Sequence, residues 1–147
     1  MWDHRKGLED LIKLRSMLDK DSYTFILVGL TDKQIKNLPD GIRGITRTES
    51  IDELRALYSI ADVFVNPTIE DNYPTTNIES SCCGTPVVTY RTGGSPESVP
   101  MIQVVEKNDL SGVKMIIEKE KLVVENKEYF EKKEMIEKYS SLILRKN

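Results

Sequence analysis

The groups best placed to do chemistry lie close together in this chain. Glu70, Asp71 and Asn72 set two carboxylates and an amide on a loop, and Pro74, Thr75, Thr76 and Asn77 directly after them read as the opening of a helix. Thr76 and Glu79 have the spacing of a capping box, and Gly84 is placed to end the helix. A helix N-terminus presents free backbone N–H groups and a partial positive charge, which suit a phosphate. Carboxylates beside those donors would repel a phosphate on its own, so Asp71 and Glu79 are better suited to accept hydrogen bonds from hydroxyls on either side of one. A ligand with phosphates in the middle and hydroxyl-rich groups at both ends fits that description, and a nucleotide sugar is such a molecule. Plainer readings stand beside this one. Glu79 alone as a cap would contribute about 1 kcal/mol with no ligand, and Asp71 and Asn72 are ordinary turn formers.

The elements around these residues set them at the edge of a sheet. Val63, Phe64 and Val65 read as a short buried strand that Pro67 stops, so the acidic loop leaves from the carboxyl end of that strand. Open parallel sheets bind their ligands at that edge. After the helix come a Thr-Pro-Val-Val strand from Thr85 and a glycine-rich loop, Gly93-Gly94-Ser95-Pro96-Glu97.

The run from Glu70 to Glu97, EDNYPTTNIESSCCGTPVVTYRTGGSPE, resembles the donor-site signature of retaining glycosyltransferases of group 1 (family 4), which have the two-Rossmann-domain B-type fold. The resemblance extends from Lys6 to about residue 118 and is most specific from Asp62 to Glu97. It implies that the acidic residue at Asp71 binds hydroxyls of the transferred sugar, that Glu79 binds the ribose, and that the helix N-terminus at Thr75, Thr76 and Asn77 holds the diphosphate. Most of that family carries Glu where this chain has Asp71, preceded here by Glu70, so whether Glu70 or Asp71 meets the sugar stays open. In the family a Lys-Gly follows the first strand and its lysine pairs with the diphosphate; Lys6-Gly7 matches it. A partner arginine five residues earlier has no counterpart, since that position is Met1, which leaves the contact absent or taken by Arg5.

The balance of 21 basic against 24 acidic residues gives a net charge of −3 and a pI near 5.3, which argues against a broad nucleic-acid footprint. No apolar run reaches the roughly 18 residues of a membrane span, and no signal peptide is evident, so a cytoplasmic location is expected, peripheral to the membrane where the acceptor is lipid-linked. His4 reads as a surface side chain, and the adjacent Cys82 and Cys83 as small buried thiols. Asp19-Lys20-Asp21 has the look of a metal-binding Asp-x-Asp but precedes a strand instead of following one, so no metal site is expected.

The first helix, capped by Asp3, turns Leu8, Leu11, Ile12 and Leu18 to one face. An α/β unit ordinarily supplies a strand before such a helix, so a first strand and an N-terminal acceptor-binding domain are expected to lie upstream of these residues. Strands are expected at Tyr23–Val28, Gly41–Ile45 and Met101–Val105, with Arg47 at a carboxyl edge where the family builds its nucleobase pocket. Ser50 and Glu53 form a second capping box, followed by Leu54, Leu57, Tyr58 and Ala61 at helical spacing; Asp109 opens another helix with Val113, Ile116 and Ile117 inward. Residues 125–147 read as a charged helical tail.

The expected architecture is a single α/β, Rossmann-like three-layer domain over 1–147 with a mostly parallel sheet of four or five strands, the C-terminal half of the B-type fold. The function implied by the resemblance is transfer of a hexose from a nucleoside-diphosphate sugar to a glycan or lipid-linked acceptor, with retention and without a metal or other cofactor. The whole enzyme would be the transferase; these residues alone are expected to be inactive. Lys6, Asp71 and Glu79 are the candidate catalytic residues, and Arg5, Lys6, Arg47, Glu70, Asp71, Asn72, Thr75, Thr76, Asn77 and Glu79 the candidate donor contacts. A sugar-nucleotide epimerase or glycan phosphorylase of the same fold, or a non-catalytic nucleotide-binding module, are the alternatives.

Overall fold

The computed structural model describes residues 2–119 and 121–124; the tail expected over 125–147 lies outside them. The described residues form, in order, α1 (Leu8–Met17), β1 (Phe25–Val28), α2 (Asp32–Lys36), β2 (Ile42–Ile45), α3 (Ile51–Ile60), β3 (Phe64–Asn66), α4 (Thr75–Cys82), β4 (Val87–Tyr90), β5 (Val104–Val105) and α5 (Leu110–Lys119), with two 3-10 turns between β4 and β5. Every strand pairing among the described residues is parallel; VVTY is buried at all four positions, as in a strand covered on both faces, whereas Ile26 of FILV is exposed.

Instead of the single sheet expected, the strands form two hydrogen-bonded groups, β1–β2 and β3–β4–β5. Phe25 and Gly29 donate to Gly41 O and Ile45 O of the β2 side, so the backbone of Ile26 and Val28 turns the other way, towards the seam between the groups. Phe64 donates to Pro86 O, which turns Val65 to the seam from the opposite side. Side chains bridge it: Phe25 and Val65 pack on both apolar clusters, one built on Leu11, Leu27, Leu30 and Ile42, the other on Leu14, Leu18, Val88, Tyr90, Val105, Val113 and Ile116. Trp2 Nε1 donates to Val28 O at 2.7 Å, and Arg5 O accepts from Ile69 N at 2.7 Å, so the first residues lie across the carboxyl ends of β1 and β3.

Several elements differ from expectation. Asp3 caps a 3-10 turn at His4–Lys6, accepting from Arg5 N and Lys6 N, and α1 begins only after Gly7. The strand expected at Met101–Val105 is reduced to Val104–Val105, because Pro100 opens a 3-10 turn with Gln103 N donating to its carbonyl. Helix α2 was not anticipated, although Thr31 and Gln34 form a complete capping box around it. Cys82 is exposed and Cys83 half-buried, not buried thiols as expected, since both lie on the last turn of α4. Asp109 opens α5 as expected, accepting from Gly112 N at 2.9 Å, with Val113 and Ile116 buried. Arg15 is buried and donates to the carbonyls of Leu18, Lys20 and Gly41, joining α1 to the loops that precede β1 and β2.

Candidate functional site

The acidic loop is held from two sides. On one, Gly7 has φ +72° and lies so close to Pro67 that a Cβ there would come within 2.2 Å of Pro67 O. Only glycine fits, and its fit seats the His4–Lys6 turn on the end of β3. Thr68 Oγ1 adds a hydrogen bond to Arg5 O, which also accepts from Ile69 N. On the other side the glycine-rich loop abuts the acidic loop. Gly93 (φ +48°) leaves no room for a Cβ, which would stand 1.8 Å from Asp71 O; Gly94 N donates to Asn72 O at 2.8 Å, and Thr92 Oγ1 to Thr68 O at 2.8 Å.

This clamp brings Lys6 Nζ within 2.8 Å of Asp71 Oδ2, a contact spanning 65 positions of sequence. The other oxygen, Oδ1, accepts from Tyr73 N at 3.2 Å, so Asp71 is a turn former and an ion-pair partner at once. Its side chain is 20% exposed and that of Lys6 47%. A pair this open contributes at most about 1 kcal/mol and gives way readily to a more strongly charged partner. Arg5 turns back to Asp3, whose carboxylate, with a weaker contribution from the Glu70 charge, holds the guanidinium pKa above its ordinary value. Glu70 is exposed.

Helix α4 starts two residues earlier than a Thr76 cap would place it. Pro74 is the N-cap and no side chain caps the helix, so the capping box expected of Thr76 and Glu79 does not form: Thr76 already lies inside the first turn. Asn77 N donates to Pro74 O, while the earlier amides of Thr75 and Thr76 sit at an N-terminus that no side chain covers. At the far end Thr85 N donates to Ser80 O and Gly84 N to Ser81 O, a Schellman closure around Gly84 (φ +88°), as expected.

Asn77 corrects the expectation that it faces a ligand. It is fully buried, where its amide accepts from Asn66 Nδ2 at 2.7 Å and donates to Ser98 Oγ at 2.9 Å; Ser98 Oγ in turn donates to Ser95 O. With Thr89 Oγ1 donating to Asn66 O, this chain fixes the first turn of α4 to the end of β3 and to the glycine-rich loop. The positioning is structural.

Glu79, freed from capping, is exposed and accepts at Oε2 from the hydroxyl of Tyr58 at 3.2 Å. The sequence shows Tyr58 only at helical spacing with Leu54, Leu57 and Ala61; no local pattern links it to a carboxylate 21 positions on. Burial first, then the neighbouring Glu79 charge, push the Tyr58 phenol well above its ordinary pKa, so it stays a protonated donor. Arg47 is exposed beyond the carboxyl end of β2, in the other strand group from the acidic loop. Asp19 accepts from Asp21 N and Ser22 N and so closes a turn. Among the described residues no helix is long and apolar enough to cross a membrane.

The arrangement offers a cation, two uncovered helix amides and carboxylates at both ends of α4's first turns, along the carboxyl edge of a parallel sheet. The model of a family described as glycosyl transferases group 1 matches residues 1–130. The chain is 32% identical over 96 residues to the sulfoquinovosyl transferase SQD2 of Arabidopsis thaliana, covering 65% of this chain and 19% of that protein. Over 48 residues it is 40% identical to D-inositol 3-phosphate glycosyltransferase of Corynebacterium jeikeium, 33% of this chain and 12% of the relative. Among solved structures it superposes on sucrose-phosphate synthase from Thermosynechococcus elongatus with a TM-score of 0.69 and 26% identity, over 78% of this chain and 33% of that one. It shares the fold of Anabaena HepE, solved in complex with UDP-glucose, with a TM-score of 0.63 and 21% identity, over 80% of this chain and 37% of that one. The chain therefore spans less than a fifth of the curated relatives it matches.

Proposed function

The chain belongs to the glycosyl transferases group 1 family, and from that premise we propose that it is the donor-binding half of an enzyme transferring a sugar from a nucleoside-diphosphate sugar to a hydroxyl acceptor. The observation that carries the reading is the Lys6 to Asp71 contact of 2.8 Å. It sets an ammonium beside the acidic residue, immediately before a helix whose N-terminus has no side-chain cap.

In this reading the diphosphate lies over the amides of Thr75 and Thr76, and Lys6 leaves Asp71 for the more highly charged phosphate. As the bond from the sugar to the diphosphate breaks, negative charge grows on the leaving phosphate oxygen, and fixed N–H dipoles with an ammonium stabilise it there more than in the ground state. Asp71, released from Lys6, accepts from sugar hydroxyls; Glu70 remains the second candidate for that contact. Glu79 accepts from the ribose, and Arg47 is the candidate on the nucleobase side. Retention of anomeric configuration and independence from metal belong to the same proposal, as do a glycan or lipid-linked acceptor and a cytoplasmic, membrane-peripheral setting. The wall facing this edge, with the acceptor and its base, would come from an N-terminal domain outside the 147 residues.

Calorimetric titration of the 147-residue chain with UDP, GDP and ADP, with and without EDTA, tests the reading. Weak binding of at least one nucleotide, unchanged by the chelator and without sugar transfer in a product assay, is the expected result. Binding that requires magnesium would remove the metal-independent mechanism, and efficient transfer by this chain alone would remove the need for an opposing domain.

A further inference from the structure

We infer that Tyr58 is the positioning residue for Glu79, fixing its carboxylate as an acceptor for the two ribose hydroxyls; the inference rests on the donor-site reading above and adds a residue to it. Tyr58 is anchored independently of Glu79. Its ring meets Phe64 of β3 edge-on, with centroids 5.5 Å apart and planes at 79°, and its carbonyl accepts from the hydroxyl of the buried Thr85 in the turn between α4 and β4. The hydroxyl thus stands at a point set by β3 and by the α4–β4 corner, and from there it donates to Glu79 Oε2 at 3.2 Å.

Glu79 needs such a guide. It is an exposed side chain with several free torsions on a helix that it does not cap, so without a partner its carboxylate would be spread over many rotamers. One donated hydrogen bond selects one orientation and occupies one acceptor direction of Oε2. The lone pairs of Oε1 and the second of Oε2 remain, which is the capacity a vicinal diol requires. Because burial and the Glu79 charge hold the phenol protonated, the tyrosine donates to Glu79 and does not compete with it for the ribose.

Tyr58→Phe keeps the ring against Phe64 and deletes only the hydroxyl. UDP, GDP and ADP are titrated against the wild-type chain, and the tightest binder is compared with its 2′,3′-dideoxy counterpart in the wild type, Tyr58→Phe, Glu79→Gln and the double variant. The expected result is a three- to ten-fold loss of ribonucleotide affinity in Tyr58→Phe, almost no loss for the dideoxy nucleotide, an unchanged melting temperature, and no further loss in the double variant beyond that of Glu79→Gln. Equal losses for both nucleotides would mean that Tyr58 only supports the fold and would overturn the inference. So would full affinity in Tyr58→Phe when Glu79→Gln is impaired. If Glu79→Gln itself leaves ribonucleotide binding intact, the ribose assignment fails and the positioning role with it. Failure of all three nucleotides to bind the wild type would remove the site.

Discussion

Helices α3 and α4 both follow a strand of this molecule, yet their N-termini are finished differently. At α3, Ser50 Oγ accepts from Glu53 N at 3.1 Å and the Glu53 carboxylate takes Glu49 N, so side chains close that end of the helix. At α4 the N-cap is Pro74, which has no side-chain acceptor, and the threonines that follow face outward. A missing cap costs about 1 kcal/mol. The α4 end offsets that through the buried Asn66–Asn77–Ser98 chain, which fixes its first turn from behind while leaving its open end bare. Helix α3 thus closes its N-terminus with side chains, whereas α4 leaves without one the end that the donor-site proposal assigns to phosphate.

The change expected to break this contrast most severely is Gly93→Ala. A Cβ 1.8 Å from Asp71 O, at φ +48°, must displace the acidic loop that leads into α4. A loss of roughly 2 kcal/mol or more in urea unfolding, together with loss of nucleotide binding, is expected. Retention of both would show that the glycine-rich loop is not what holds Asp71. Next in size, Ser50→Ala should cost about 1 kcal/mol of stability with nucleotide affinity unaltered, whereas Glu79→Ala should weaken the nucleotide and leave stability unaltered, because Glu79 caps nothing. A stability loss in Glu79→Ala comparable to that of Ser50→Ala would return Glu79 to a capping role. The smallest effect belongs to Pro74→Ser, which offers α4 the cap it lacks. Its hydroxyl should compete with phosphate for the same amides and lower nucleotide affinity about three-fold, with little change in melting temperature as the new cap offsets the lost packing of a buried proline. Unchanged affinity would argue that the phosphate lies elsewhere.

Much of this was legible in the residues. Pro67 and Pro74 bracket the loop, Gly84 ends the helix, and the apolar runs at Phe25 and Val87 are parallel strands; each is a local signal of one residue type at one position. The family resemblance directed attention to Lys6 and Asp71, which the structure brings together. What misled was also local. The Thr76 and Glu79 spacing satisfies the capping pattern, but a proline two residues before Thr76 already starts the helix, and a residue inside the first turn cannot cap it. Asn77 reads as a ligand-facing amide because nothing near it in sequence reveals Asn66 and Ser98 as its partners. Tyr58 escaped notice for the same reason: its role lies in a contact between two helices, and helical spacing records only that it faces inward.

The seam between β1 and β3 bears on how the molecule breathes. A continuous ladder transmits an opening from strand to strand through its backbone bonds, whereas two ladders joined by side chains are free to open as separate cooperative units. Here the join consists of Phe25 and Val65 packing, the Trp2 indole on Val28 O and the turn pinned through Arg5. The last of these also carries Lys6. An excursion in which the β1–β2 unit loosens Trp2 should therefore pull on the segment that holds the ammonium beside Asp71, so amide exchange in β1 is expected to rise with the reach of Lys6 while Asn77 and the β3–β4–β5 ladder stay protected.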